Sequence, residues 1–308
     1  MLPRRSTDLF SNTVPVAASS ITMGVHLTPG WISGTAAPVT GGDGDLFVKK
    51  RRLRWIVLVV VGLSVSPFTQ ASDFTADQVR ELLAKTDPQR PADLAGKDLS
   101  DLDLSNVDFK RANLSGANLF ASRLVSSNLA GAKLAGANLN GAWLMGATFA
   151  GADLSGSSML GLVILGGQVT EKPNFAGANL SGVRMIADLP GADLRGADLS
   201  QANLGVDIKN QGMGQMRTDL SGAKLTGANL RGANLNRAVM MFADLSGANL
   251  TGANLFRAKL SGANLTGADV AGADFTEADL DGAILKNAKG IGAARGMDKA
   301  TNRDRAVY

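Results

Sequence analysis

The carboxylates that stand close together are the residues in this chain best suited to chemistry. Asp101 and Asp103 form one such pair, and Asp279 and Asp281 form another. Two carboxylates can act as a general acid and a general base when their surroundings push their pKa values apart. Both pairs, however, lie in strongly repetitive sequence, where short polar residues recur at solvent-facing positions. We interpret them as solvated edge residues and not as catalytic groups.

The chain lacks the residues that other common kinds of catalysis need. The chain contains no cysteine, its one histidine is His26, and its one tyrosine is Tyr308. A Ser-His-Asp triad, a Cys-His pair and a histidine-ligated metal are therefore unavailable to a protein that has lost its first 71 residues. The abundant glycines follow a regular period and form no phosphate-binding loop. The sequence predicts no enzyme, no metal and no cofactor.

A five-residue phrase built on Ala-x-Leu dominates the chain. Residues 251–270 read TGANLFRAKLSGANLTGADV. Five residues match neither the 3.6-residue period of an α-helix nor the two-residue period of a strand, so neither element gives these leucines a common core. A chain that turns a corner every five residues points every leucine at one axis. Four corners close a square coil of twenty residues.

The other positions of the phrase fit the same coil. The residue two before each leucine shares its inward face and is usually alanine, which leaves room for four large side chains. The residue between them points outward and is usually Asn or Asp. Residues twenty apart should therefore stack in polar ladders, such as Asn229 with Asn249 and Asp269.

The leucine positions can be followed from Leu94 to Leu285 and predict about nine coils. Stacked at the usual strand spacing, nine coils span about 45 Å. The regular stretch is interrupted near 166–174 and near 205–219. We interpret the first interruption as one extra residue that follows a regular position at Val169.

This pattern resembles the pentapeptide-repeat family, whose phrase is A-[DN]-L-x-x, over residues 92–288. The resemblance implies an all-β solenoid, the right-handed quadrilateral parallel β-helix of that family. The spacing alone indicates only a square coil. Some members of the family resemble duplex DNA in size and charge and act on type II topoisomerases. The repeat itself explains the fold and almost none of the function.

The segment before the repeat has the parts of a secretory signal peptide. Residues 48–71 contain a basic head, an apolar run and a small-residue cleavage site that ends at Ala71. They predict a periplasmic or secreted protein, with a membrane anchor at 55–66 as the alternative. Residues 1–47 are expected to be an unstructured or wrongly assigned extension, with translation starting at Val48. Any contact with a membrane is expected only through this segment.

Both ends of the predicted solenoid, 91–289, are flanked by covering segments. Residues 72–90 predict a short N-terminal capping helix, because Thr75 and Gln78 have the spacing of a capping box. The last residues, 290–308, lose the period and are interpreted as a C-terminal tail or cap.

The charge balance argues against nucleic acid as a partner. The full chain carries a formal net charge of +4, but residues 1–71 hold seven basic and three acidic residues, so the remaining chain is neutral. A DNA mimic needs a strongly acidic surface and a place in the cytoplasm. The topoisomerase role is thus the disfavoured alternative.

Function is expected where the repeat breaks its own rules. Apolar residues occupy outward positions in two successive coils, and we predict that they form one exposed patch: Trp143, Met145, Val163 and Leu165. The patch would be covered by the chain's own insertion, by a second copy or by a partner. A smaller second patch is predicted at Val239, Met240 and Met241.

The second interruption supplies a candidate interaction loop with the residues Lys209, Met213, Met216 and Arg217. Loops on a rigid scaffold often carry function. The sequence therefore predicts a non-catalytic exported scaffold or protein-interaction module, whose partner is an unidentified protein or a second copy.

Overall fold

The computed structural model describes residues 72–87, 89–164, 171–206 and 217–308, which all lie in one compact unit. Several predicted features fall outside the described residues. They are the extension at 1–47, the signal at 48–71 with Ala71, the regular position at Val169, the patch residue Leu165, and the loop residues Lys209, Met213 and Met216.

The repeat folds into square coils joined by four columns of parallel β-bridges. We name the columns faces A, B, C and D, beginning in the first coil at Asp93, Asp98, Asp103 and Asp108 respectively. Each side of a coil holds only about three extended residues between corners, so most pairings are single bridges. Two regular strands form on face B, β1 (Ser158–Leu160) and β2 (Arg184–Ile186), and they pair in parallel.

The predicted polar ladders are confirmed. Asn229 pairs with Asn249, which in turn pairs with Asp269 on face A. On face B, the Asn138 side-chain amide donates to Asn118 Oδ1 at 2.9 Å, and the Asn118 amide donates to Asp98 Oδ1 at 2.9 Å. Each of these side-chain amides thus donates a hydrogen bond to a side-chain oxygen one coil earlier, and these bonds connect the coils outside the core.

The core has the composition that the square coil predicts. Leu255 and Ala253 are both fully buried, as are most leucines and alanines at the equivalent positions. Phe149 and Phe175 stack in successive coils with their ring centroids 5.0 Å apart. Because each buried leucine contributes about 1.5–3 kcal/mol, this continuous column of apolar side chains stabilises the stack without disulfides.

Corners turn through a residue in the left-handed backbone region. Glycine is usual there, as at Gly252 with φ of 67°, because it has no Cβ to clash. Phe242 is an exception with φ of 58°, and its ring lies over Gly262 of the next coil. A bulky apolar residue in this region is uncommon.

The first interruption was expected to hold one extra residue, and this expectation is wrong. Thr148 pairs with Asn174, so that coil holds 26 residues and contains six more than usual. A coil closes only when its fourth side pairs with the preceding coil. In this coil the fourth side, on face D, comes after the extra residues and is formed at Asn174. The second interruption is larger, since Asp188 pairs with Asp219, 31 residues on.

One corner is also a residue short. Only Ile186, Ala187 and Asp188 stand between the buried centres Met185 and Leu189, where four residues are usual. The corner that joins face B to face C therefore lacks its left-handed residue. This shortening and the first insertion together restore the original phase of the repeat.

An α-helix, α1 (Ala76–Ala84), precedes the first coil. The Thr75 hydroxyl accepts from the Gln78 amide, and the Gln78 side chain accepts from the Thr75 amide, which is a complete capping box. Val79 is fully buried against the core. Asp73 and Arg80 also bond to backbone groups of the first coil on faces B and C.

The segment after the repeat continues the ladder. Arg295, Thr301 and Val307 pair with Asp274, Asp279 and Ile284 of the preceding coil. Two 3₁₀-helices, Ile291–Ala293 and Arg303–Arg305, lengthen its corners. Within the described part of the chain, no helix has the length and apolar character that a membrane span requires.

Several carboxylates of the ladders have lowered pKa values. Hydrogen bonds from the Ser100 side chain and backbone lower the pKa of Asp98 below its ordinary value, and hydrogen bonds from Thr276 lower the pKa of Asp274 in the same way. A carboxylate whose pKa is lower in the folded state stabilises the fold at pH values above its unfolded-state pKa. This stabilisation is lost as the pH falls through the folded-state pKa.

We therefore expect the melting temperature to fall as the pH is lowered below about 4. Asp98→Asn keeps an oxygen that accepts from the Ser100 amide but does not titrate, so its melting temperature should depend less on pH. Circular dichroism melts of both proteins between pH 2 and pH 6 measure this. Identical pH profiles would contradict the role assigned to Asp98.

Candidate interaction face

Face C carries the outward residues that break the polar rule of the repeat. In its first four coils it presents Asp103, Arg123, Trp143 and Val163 in one column. The Arg123 guanidinium carbon lies 4.7 Å from the centroid of the Trp143 ring, and Arg123 Nε lies 3.6 Å from Asp103 Oδ2. Trp143 is half-buried, with the Arg123 guanidinium over its ring and Val163 as its bridge partner in the next coil.

Met145 does not share this surface, and its predicted exposure is wrong. It is 3% exposed, and Val125, one coil earlier at the same corner, is 8% exposed. The Ser126 amide donates to the Met145 carbonyl at 2.8 Å, which places the two apolar side chains in successive coils of one corner. Stacked in this way they remove each other from water, so this corner is closed to a partner.

The ladder of face C is interrupted beside Val163. Among the described residues, face C has no bridge between Val163 and Asp188, although both continue the column on either side. The shortened corner before Asp188 lies at this point. The six-residue insertion leaves face C just after Ile164, and the second insertion returns to it at Arg217. Both insertions therefore border the same face.

A cavity of about 410 Å³ opens at this interruption. Its apolar lining comes from Leu162, Ile186 and Val239. Four charged residues surround that lining, and they are Asp188, Arg217, Asp219 and Lys259. Within the described part of the chain no ion pair joins these four groups to one another, and the Asp219 carboxylate accepts a hydrogen bond from the Ser221 amide.

The structure thus joins parts of two separate predictions. Trp143 and Val163 of the predicted patch and Arg217 of the predicted loop lie on or beside one face. Asp188 and Lys259 were not predicted, because ordinary charged residues at outward positions give no signal of their own. They line an apolar cavity only because the ladder of face C is interrupted beside Val163.

The smaller predicted patch is partly wrong. Met240 is fully buried as a core residue, while Val239 is half-buried on face C. Sequence reasoning missed Phe242, which is 72% exposed, and Phe120, which is 48% exposed. A signal for Phe242 exists, because it stands in a corner position that glycine occupies at Gly222 and Gly262.

The described residues contain no arrangement suited to metal binding. No group of three or more His, Cys, Asp or Glu side chains comes close enough to hold an ion in the parts of the chain that the structure covers. The carboxylates of Asp101 and Asp103 lie on exposed positions of the first coil. The arrangement on face C offers contact surface and charge.

Comparison with known proteins identifies the repeat. The model of the family "Pentapeptide repeats" matches in eight copies, over residues 92–120, 122–159, 174–205, 218–255 and 253–289. These matches stop on either side of the two insertions described above. No curated protein matches the chain significantly.

Solved structures of similar proteins include HetL from the cyanobacterium Nostoc sp. strain PCC 7120, a pentapeptide repeat protein involved in heterocyst differentiation regulation. It is 30% identical, with 76% of this chain and all of HetL covered and a TM-score of 0.34. QnrB1, a plasmid-mediated fluoroquinolone resistance protein, is 18% identical in a trypsin-treated form, with 67% and 88% covered and a TM-score of 0.32.

A third similar structure is a pentapeptide repeat protein of the Arabidopsis thaliana thylakoid lumen, which is 22% identical, with 60% and 68% covered and a TM-score of 0.18. The TM-scores are low, so the family model carries the assignment. Its fold is a right-handed β-helix solenoid, in agreement with the four columns of parallel bridges. The chain therefore belongs to the pentapeptide-repeat family.

Proposed function

We propose that the protein is a non-catalytic exported scaffold that binds a protein partner through face C. The observation that carries the proposal is the cavity beside Val163, with its apolar lining and the four charged residues around it. Exposed apolar surface flanked by polar groups is the usual composition of a protein interface.

Trp143 supplies an anchor for such an interface. Tryptophan and arginine are the residues most enriched among those that contribute most to binding. Here the Arg123–Trp143 contact of 4.7 Å favours one arrangement of the two side chains in the free protein. A partner would therefore bind them without a large loss of side-chain entropy.

The scaffold itself supports this role through its rigidity. We infer about nine coils of repeat, with α1 as the lid of the first coil and residues 290–308 as the cover of the last. A repeat protein needs such covers because its end coils would otherwise expose apolar core to water. Met297, 7% exposed, and Val79 contribute apolar side chains at the two ends.

Export is part of the proposal and rests on the composition of residues 48–71. A chain recovered from the periplasm with Ser72 at its N-terminus is the expected result. Recovery from the cytoplasm would remove this part and would favour an intracellular partner. The DNA-mimic role lacks support from charge, because face C alternates acidic, basic and apolar residues along its column.

Trp143→Ser tests the proposal against a matched control. Lys133→Ser changes the outward residue of the same coil on the opposite face, A. We expect Trp143→Ser to weaken partner binding by at least tenfold, because an anchor tryptophan contributes about 2 kcal/mol or more. Lys133→Ser should leave the binding constant unchanged.

Co-purification of each tagged full-length variant, followed by a binding titration with the isolated partner, measures this difference. Equal melting temperatures must first show that both variants fold. Binding that is equally strong in both variants would contradict the assignment of face C. Loss of binding in both would place the partner on more than one face and would also contradict it.

A further inference from the structure

The two halves of face C carry outward residues that complement each other. Along the stack, the first half presents Arg123, Trp143, Val163 and Asp188. The second half continues with Asp219, Val239, Lys259 and Asp279. All eight side chains are half-buried or exposed. Taken in reverse order, the second half offers an acid for Arg123, a cation for Trp143 and an apolar side chain for Val163.

Complementary halves allow a second copy to dock on the same face. Two copies that meet through one surface are related by a two-fold axis, so each contact occurs twice. If the two stacks run antiparallel about an axis between Asp188 and Asp219, the first half of each copy faces the second half of the other. The facing pairs are then Arg123 with Asp279, Trp143 with Lys259, and Val163 with Val239. They are an ion pair, a cation over an aromatic ring and an apolar contact.

Other arrangements of the two faces lose these contacts. In a parallel arrangement every outward residue meets its own copy, so Arg123, Lys259 and Asp279 each face a like charge. In the antiparallel arrangement, a shift by one coil in one direction sets Arg123 against Lys259. A shift in the other direction sets Trp143 against Asp279 and Val163 against Lys259. The charges of face C therefore favour one orientation and one register.

Among the outward residues of face C, one facing pair of this arrangement carries like charge. Asp188 meets Asp219 of the second copy on both sides of the axis. Arg217 lines the same cavity as both carboxylates, so each copy also brings a cation to the centre. The three pairs on either side of the axis supply the attraction.

The area of face C is sufficient for a stable dimer. Ten outward residues stacked at about 4.8 Å make the face about 45 Å long, and one side of five residues at about 3.3 Å makes it about 16 Å wide. Two such faces would bury about 1,400 Å² in total, which lies in the range of about 1,200–2,000 Å² for specific interfaces.

We propose that the partner on face C is a second copy of this protein, docked antiparallel about a two-fold axis between Asp188 and Asp219. The proposal rests on the proposed function, because it names the occupant of the same face. Each copy has one face C, so the contact closes after two copies. The cavity beside Val163 then lies inside the interface, near its centre.

Reversed charges test the orientation. Sedimentation velocity of the purified full-length protein should show a mass of two copies that does not rise further with concentration. Arg123→Glu and Asp279→Lys should each lower the association constant about tenfold or more, because each adds two like-charge contacts to the dimer. The variant that carries both changes restores opposite charges and should associate as the parent does. A double variant as weak as the two single variants would overturn the proposal.

Single cysteines test the register without reversing a charge. The chain has no cysteine of its own, so Val163→Cys and Val239→Cys each introduce one thiol. A thiol crosslinker about 8 Å long suits two sheets packed about 10 Å apart. A mixture of the two variants should give a crosslinked dimer. Either variant alone should give much less, because its two thiols lie three coils apart, about 14 Å along the stack. Equal crosslinking from Val163→Cys alone would overturn the proposal.

Failure of this proposal differs from failure of the proposed function. A mass of one copy, in a protein that still crosslinks to a different protein from Val163 and not from face A, would overturn the second copy and retain face C. A dimer that both single charge reversals leave unchanged would also overturn the proposal, because the copies would then meet through another surface.

Discussion

Replacing Leu255 by alanine should lower the free energy of unfolding by about 2–5 kcal/mol. Leu255 is fully buried at the centre of one side of a coil. Its removal leaves a cavity between two coils that cannot collapse, because the ladder on either side holds them at a fixed spacing. Urea denaturation followed by circular dichroism measures the change.

Leu255→Met is the matched control, since it nearly conserves volume and should cost less than about 1.5 kcal/mol. The comparison separates the effect of the cavity from the effect of any change at this position. A loss below about 1 kcal/mol for Leu255→Ala would mean that the side chain does not face the core, and the coil geometry would be wrong.

The second large effect is expected from the opposite change. Ala253→Leu should lower the free energy of unfolding by about 1–3 kcal/mol or more, because Ala253 is fully buried in a slot sized for a methyl group. Four large and four small side chains fill each coil, and a fifth large one forces the corners apart.

Lys259→Leu serves as the control for Ala253→Leu. Lys259 is an exposed outward residue on face C, so the same new side chain should change stability by no more than about 0.5 kcal/mol. The same urea titration compares the two. Equal stability of both variants would show that the alanine slot is not confined.

The regular part of the fold could be predicted from the sequence because one physical requirement repeats. A five-residue period allows a common core only if the chain turns a corner every five residues, and the pairing of Asn229 with Asn249 and Asp269 follows from that coil. The capping box at Thr75 could be predicted for a similar reason, since it depends only on local spacing.

The length of the first interruption could not be predicted, because two different chain arrangements give the same spacing of the repeat positions along the sequence. Six extra residues before Asn174 followed by a corner one residue short give the same spacing in the sequence as one extra residue and a side at Val169. Only the pairing of Thr148 with Asn174 distinguishes them. The phase of a repeat does not identify which side of a coil a residue occupies.

The candidate site depended on the same ambiguity. Trp143 and Val163 break a local rule and could be predicted, whereas Asp188 and Lys259 resemble any other polar outward residue. The exposure of Met145 was predicted incorrectly, because a corner position can point toward an apolar neighbour such as Val125 as well as toward water. Packing between coils decides this, and the sequence of one coil does not contain it.

The central claim is that face C binds the partner, and site-specific photo-crosslinking tests it most directly. A photoreactive residue would replace Val163 or Asp188 on face C, and Asp153 or Asn179 on face A as controls. We predict that the full-length protein crosslinks to one discrete protein from the face C positions and not from the face A positions. Equal crosslinking from both faces, or crosslinking from face A alone, would contradict the account.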